Sequence, residues 1–150
     1  MKSKLLPLDI QWINPVISIE RVAHTHPWPK TMLEQSPDKL AYNRVLIVDG
    51  DVVGYFYSQC VAGEASLLNI AVAPIYQGQG YGKQLLSAFI ECTKGADAQE
   101  AWLEVRASNV NAIKFYESQG FNESDRRYNY YPTMSGRHED ALIMSYWFEK

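Results

Sequence analysis

Hydrophobic and polar positions along this chain alternate between two periods, and the places where the period changes divide it into elements. From Ile17 to Ala23 apolar residues recur with weak helical spacing. That pattern stops at the loop His26-Pro27-Trp28-Pro29, ahead of a short helical piece near Thr31 to Gln35. Arg44 to Val48 and Asp51 to Val61 are rich in β-branched and aromatic residues. Asp49-Gly50 between them predicts an antiparallel hairpin. Ala65 to Val72 is a nearly unbroken apolar run ended by Ala73-Pro74, the pattern of a central strand covered on both faces. The period then lengthens: Leu85, Leu86, Phe89 and Ile90 fall on one stripe of a helix from Lys83 to about Thr93. Ala101 to Arg106 alternates as a strand, Ser108 or Asn109 caps a helix from about Val110 to Gln119, and Gly120 stands at its C′ position. Phe121 to Tyr131 and Ala141 to Phe148 predict two further strands around a loop holding Pro132 and Gly136. The order is that of a mixed α+β fold.

At 150 residues the chain has the size of one compact unit, and residues 1–150 are read as a single domain. Fourteen Lys and Arg against 17 Asp and Glu give a formal charge of −3, which argues against a nucleic-acid or anionic-membrane partner. Cys60 and Cys92 are too few for a disulfide scaffold and have no metal-ligand spacing, which favours a reducing compartment. Both read as small buried side chains. No run approaches the about 18 apolar residues of a membrane span, and no apolar segment follows Lys2 and Lys4 as in a signal peptide. A soluble, cytoplasmic protein is expected. His24, His26 and His138 lack a third ligand, so they are read as surface or structural residues and no metal is expected.

Chemistry concentrates at Gln77-Gly78-Gln79-Gly80-Tyr81-Gly82, between a buried strand and a helix. Free N–H groups and the positive end of the helix dipole converge there, and glycines admit both a positive φ and a closely approaching phosphate. A dinucleotide fingerprint starting at Gly78 would need a small residue in place of Lys83. A P-loop would need wider glycine spacing and Ser or Thr in place of Gln84. Neither fits.

Gln77-x-x-Gly80-x-Gly82 resembles the pyrophosphate turn of the GNAT superfamily of N-acetyltransferases. Leu68 to Pro74 resembles the superfamily's fourth strand. Trp102 to Asn109, with Ala112, Phe115-Tyr116 and Gly120-Phe121, resembles its fifth strand and following helix. Glu104-Val105-Arg106-x-Ser108-Asn109, then Tyr116-Glu117-Ser118-x-Gly120-Phe121, closed by Asn129-Tyr130-Tyr131-Pro132, is similar to the RimI-type ribosomal-protein-alanine N-acetyltransferases, over about Ile19 to Met144. His138 is an extra residue in that pattern, and residues before Ile13 match it poorly.

The resemblance implies a mostly antiparallel, twisted sheet of about six or seven strands flanked by about four helices, with a parallel pair at the acetyl-CoA site. It implies acetyl-CoA as donor: pantetheine against the backbone of Ile70, Ala71 and Val72, and pyrophosphate on Gln77, Gly78, Gln79, Gly80, Tyr81, Gly82 and Lys83. Asn109 is expected to reach the donor from the next helix.

Glu104 interrupts an apolar strand, where a carboxylate either faces solvent or is kept for a task. The resemblance makes it the general base, and burial would raise its pKa toward working pH. Tyr116 becomes the acid that protonates the departing thiolate. Trp28, Tyr130 and Tyr131 become contacts to the incoming peptide, which is the N-terminal alanine of a small-subunit ribosomal protein. A monomer is expected. A small amine or a lysine as acceptor, or a non-catalytic acyl-CoA-binding module, are the alternatives left open.

Overall fold

The computed structural model describes residues 3–149. Its centre is one seven-stranded sheet of β1 (Ser3–Pro7), β2 (Arg44–Val48), β3 (Asp51–Val61), β4 (Glu64–Val72), β5 (Glu100–Arg106), β6 (Asn122–Pro132) and β7 (His138–Trp147). The strand order is β1-β2-β3-β4-β5-β7-β6, and only the β4–β5 neighbours run parallel. This is the GNAT fold that the resemblance implied. Helices α1 (Ile13–Ala23) and α2 (Lys30–Leu33) cover one face of the sheet, and α3 (Tyr81–Gly95) and α4 (Val110–Ser118) the other.

Each helix forms where its apolar stripe has a face to bury. Along α1, Val16, Ile17 and Ile19 are buried against Val45, Ile47 and Tyr55. Along α3, Leu85, Leu86 and Phe89 enter a second core with Val53, Phe56 and Leu103. Burial along β5 alternates strictly, so Ala101, Leu103 and Val105 join that second core while Trp102, Glu104 and Arg106 face the α1 side. Among the described residues no helix is long and apolar enough to cross a membrane.

The Asp49-Gly50 hairpin is present, with both residues at positive φ, as a tight turn between twisted strands requires. Of the two proposed caps it is Asn109 that closes α4: its Oδ1 accepts the Ala112 N–H at 3.3 Å. Three features differ from the sequence reading. β1 was not foreseen, because a short edge strand paired only to β2 shows no alternation of its own. Helix α1 begins at Ile13 rather than Ile17. Cys60 is buried, but Cys92 is only half-buried.

A bulge in β4 opens the middle of the sheet. Tyr57 pairs with Asn69 and Ser58 with Leu67, so Leu68 is an extra residue. Bulges bend the strand that carries them, and β4 pairs with β5 only from Glu64 to Ser66. Beyond that point the two parallel strands diverge, and α3 and α4 each begin beside the gap.

Candidate active site

One side of the gap is a cleft of about 630 Å³ between the end of β4, the 77–83 turn and α4. Ala73 donates its N–H to the Val53 carbonyl at 2.8 Å on β3. Backbone groups alternate along a strand, so Ala71 also turns to β3 while Ile70 and Val72 turn theirs into the gap. Gln77 Nε2 donates to the Val72 carbonyl at 3.0 Å, which braces the turn against the strand and leaves the Val72 N–H open.

The turn that follows places Gly78 at φ +80° and Gly80 at φ +88°. Neither position offers an obstacle to an approaching ligand, since even an added Cβ would meet nothing within 4 Å. Among the described residues, no acceptor takes the N–H groups of Gly78 to Lys83. Six free donors at the start of a 15-residue helix form a site for a diphosphate-sized anion. The Lys83 side chain is exposed, lines the cleft and has no ion pair among the described residues. Asn109 lines the same cleft, but its side-chain oxygen is committed to capping α4.

A second cavity of about 250 Å³ continues from the first on the α1 side of the sheet. His24, Ile70, Asn109, Ala112 and Tyr116 line both, so they mark the junction. Glu104 stands in this second cavity. Its Oε1 is 3.2 Å from Arg127 Nη1, and its Oε2 accepts the Tyr131 hydroxyl at 3.0 Å. The side chain is 21% exposed, so Glu104 is a paired, partly hydrated carboxylate rather than a dry one. Arg106, two residues along the same strand, pairs with Glu139 at 3.1 Å and lies over the Tyr131 ring at 4.3 Å.

The approach of Arg127 and Tyr131 to one carboxylate depends on a large bulge in β6. Residues 128–130 stand opposite Asp140 alone, Asn129 takes a positive φ, and Asp140 Oδ1 accepts the Asn129 N–H at 3.0 Å. On a regular strand these two side chains would sit roughly 13 Å apart.

Tyr116 is buried at the junction, and desolvation pushes its phenol up to about 12. Its hydroxyl has no hydrogen-bond partner among the described residues. Among buried side-chain polar atoms of the described residues only Trp12 Nε1 is unpaired and enclosed, so the Tyr116 hydroxyl opens into the cleft. Burial first, and Glu104 second, push Tyr131 to about 12 as well.

Trp28 lines the second cavity and packs on Tyr57 at 5.3 Å. Tyr130 contacts Tyr131 at 5.0 Å and lies under Arg127, but it borders neither cavity. The structure therefore gathers every expected site residue around one divided cleft except Gln79, which lies in the turn without lining the cleft, and Tyr130.

Residues 13–121 match the family model described as acetyltransferase (GNAT) family. The chain belongs to that family. A ribosomal protein bS18-alanine N-acetyltransferase of Escherichia coli K12 is 45% identical over 127 residues, covering 85% of each chain. One from Haemophilus influenzae is 44% identical over 127 residues, covering 85% of this chain and 86% of the other. The crystal structure of the ribosomal-protein-S18-alanine N-acetyltransferase from Escherichia coli superposes with a TM-score of 0.92. That match has 39% identity and covers 99% of this GNAT chain and 96% of the other.

Three residues at the site were missed by the sequence reading. Glu20 on α1 is 1% exposed, and it accepts from the Tyr55 hydroxyl at 2.5 Å, the Trp28 N–H at 2.7 Å and Asn69 Nδ2 at 2.9 Å. Asn69 in turn meets His24 Nε2 at 2.8 Å. His24 is thus one end of a largely buried polar network, the structural one of the two roles read for it. The signal was present: Glu20 lies three and four positions after Ile17 and Val16, on the apolar stripe itself, and Asn69 interrupts an apolar strand.

Proposed function

We propose that this GNAT enzyme transfers the acetyl group of acetyl-CoA to the N-terminal alanine of a small-subunit ribosomal protein, in the cytoplasm where ribosomes are made. The observation that carries this reading is the placement of Glu104 and Tyr116 around one junction between a donor cleft and an acceptor cavity. Relatives named for this activity on bS18 match over most of the chain and support it.

The acyl donor lies along β4 with its diphosphate on the N–H groups of Gly78 to Lys83, and Lys83 adds a charge to the same anion. The thioester carbonyl points to the Val72 N–H, where charge on the oxygen is met by a fixed donor. Glu104 takes a proton from the amine, directly or through water. Tyr131 and Arg127 hold its two oxygens in place.

Tyr116 donates to the departing sulfur. With the phenol near 12 and a thiol at about 8.5, full transfer is uphill by roughly 5 kcal/mol in isolated groups. Tyr116 therefore acts mainly as a hydrogen-bond donor until the thiolate is itself desolvated.

Chemistry favours an N-terminal acceptor over a lysine. An α-amino group at about 7.7–8.0 needs only ~1–1.4 kcal/mol to become neutral at pH 7, whereas a lysine at about 10.4 needs ~4.6 kcal/mol.

The test is thiol release from acetyl-CoA with a panel of short peptides that vary in residue one, beside a lysine peptide blocked at its N-terminus and small polyamines. Turnover is expected with the peptide beginning Ala. Preferential turnover of the lysine peptide or a polyamine would replace the acceptor. Coenzyme A binding without turnover of any amine would favour a non-catalytic acyl-CoA-binding module.

A further inference from the structure

Acetylation of an ammonium group removes two protons from one nitrogen, one to expose the electron pair and one after attack. Only one of them can end on the departing sulfur. Glu104 accounts for one acceptor, and its two oxygens already hold Arg127 and Tyr131. Across the cavity stands His24, immediately after α1 and lining both compartments.

Its protonation pattern can be read from its neighbours. Asn69 Nδ2 lies 2.9 Å from Glu20 Oε1, and a carboxylate only accepts, so the Asn69 amide can point only one way. Its Oδ1 is therefore turned to His24 Nε2 at 2.8 Å, and Nε2 must carry the hydrogen. In a neutral imidazole this leaves Nδ1 as a bare lone pair. Nδ1 has no partner among the described residues and is not enclosed. Behind the ring, the buried Glu20 carboxylate comes within 3.6 Å of Nε2, close to where positive charge arises when the ring gains a proton.

We propose that His24 is a second proton acceptor of the acetyl-transfer reaction, fixed as its Nε2–H form by the Asn69–Glu20 pair. The proposal rests on the acetyl-transfer reading above. In the step, an N–H bond of the acceptor ammonium breaks, its electron pair stays on nitrogen, and the proton bonds to Nδ1. The amine attacks the thioester carbon, the C–S bond breaks toward sulfur, and Tyr116 supplies the sulfur's proton as the thiolate loses its water. Glu104 takes the second proton from nitrogen, and that proton passes through water to the Tyr116 phenolate, which restores both groups. The imidazolium keeps its Nε2–H on Asn69 and releases the Nδ1 proton to water, since the side chain is 33% exposed.

Two measurements test this. Nitrogen-15 NMR of the imidazole in the ligand-free chain needs no substrate: a protonated Nε2 and a bare Nδ1 are expected, and the opposite tautomer would overturn the proposal. His24→Gln keeps an N–H for Asn69 but has no basic nitrogen. On the amine that the unaltered chain acetylates, its kcat is expected to fall at least about tenfold, with the KM for acetyl-CoA and the unfolding midpoint unchanged. His24→Ala is expected to lose as much and to regain rate when imidazole is added. A His24→Gln kcat within about twofold of the unaltered chain, or a loss confined to KM, would overturn the assignment. If the unaltered chain acetylates no amine, the failure belongs to the proposed function, and the tautomer is still read separately.

Discussion

At the scale of single residues the site separates groups that do chemistry from groups that hold them. Glu104→Gln removes the charge and basicity of the proposed base but keeps its shape, so kcat is expected to fall about 10²–10⁴-fold while calorimetry finds coenzyme A binding intact. Parallel loss of binding would assign Glu104 to the donor cleft instead. Tyr116→Phe is expected to lower kcat less, because a phenol near 12 contributes a hydrogen bond more than a free proton. Glu20 belongs to the supporting groups. Glu20→Ala leaves the Tyr55 hydroxyl, the Trp28 N–H and the Asn69 amide without their acceptor in a dry site, a loss of about 3–5 kcal/mol by urea unfolding. Glu104 was legible in the sequence because a carboxylate in an apolar strand calls for a reason. Glu20 and Asn69 gave the same kind of signal, but their joining into one network was not legible, because its Tyr55–Glu20, His24–Asn69 and Asn69–Glu20 bonds span 35, 45 and 49 positions and only the fold brings them together.

At the scale of elements, two glycines show that the same residue can be required for opposite reasons. Gly54 on β3 has no space: an added Cβ would lie 2.6 Å from the Ala71 carbonyl oxygen and 2.8 Å from Leu85 Cδ1. Gly54→Ala therefore has to push β3 away from β4 or shift α3, and a loss of about 1–3 kcal/mol in thermal or urea unfolding is expected. Gly80 has open space but a φ of +88°, so Gly80→Ala meets strain alone. About 1 kcal/mol of stability should be lost. Because the strained residue aims the free N–H groups of the turn, coenzyme A affinity should fall with it. Unchanged affinity would separate the turn from the donor. The glycine turn, the hairpin and the alternation of β5 were readable because each is a local pattern. The bulges at Leu68 and at 128–130 were not, since a bulge is defined by the partner strand. Yet they are what part β4 from β5 and bring Arg127 and Tyr131 onto Glu104.

At the scale of the whole molecule, tyrosine phenols tie both faces of the sheet to the same pH limit. Tyr55 and Tyr57 lie in the core under α1, and burial raises both above the usual tyrosine range, followed by the hydrogen bond to Glu20 for Tyr55 and by the charge of Glu20 for Tyr57. Tyr116 projects from α4 into the core that it shares with α3, pushed to about 12 by burial, and Tyr131 reaches about 12 beside Glu104. A phenol held above its unfolded value of about 10 keeps its proton in the native state after the unfolded chain has lost it. Its contribution is therefore complete below pH ~10 and is lost as pH rises from there through the folded value. For Tyr116, two pH units correspond to roughly 2–3 kcal/mol. Tyr131 is half-buried and contributes less after solvent screening. Urea midpoints are thus expected to fall steeply between pH 10 and about 11.5, and Tyr116→Phe should fall more gently over the same interval. Because α1 packs over Tyr55 and Tyr57 while α3 and α4 share the core that holds Tyr116, far-UV and near-UV circular dichroism should report a single transition. A helix-only transition, or equal slopes for Tyr116→Phe and the unaltered chain, would show that the two cores do not share this limit.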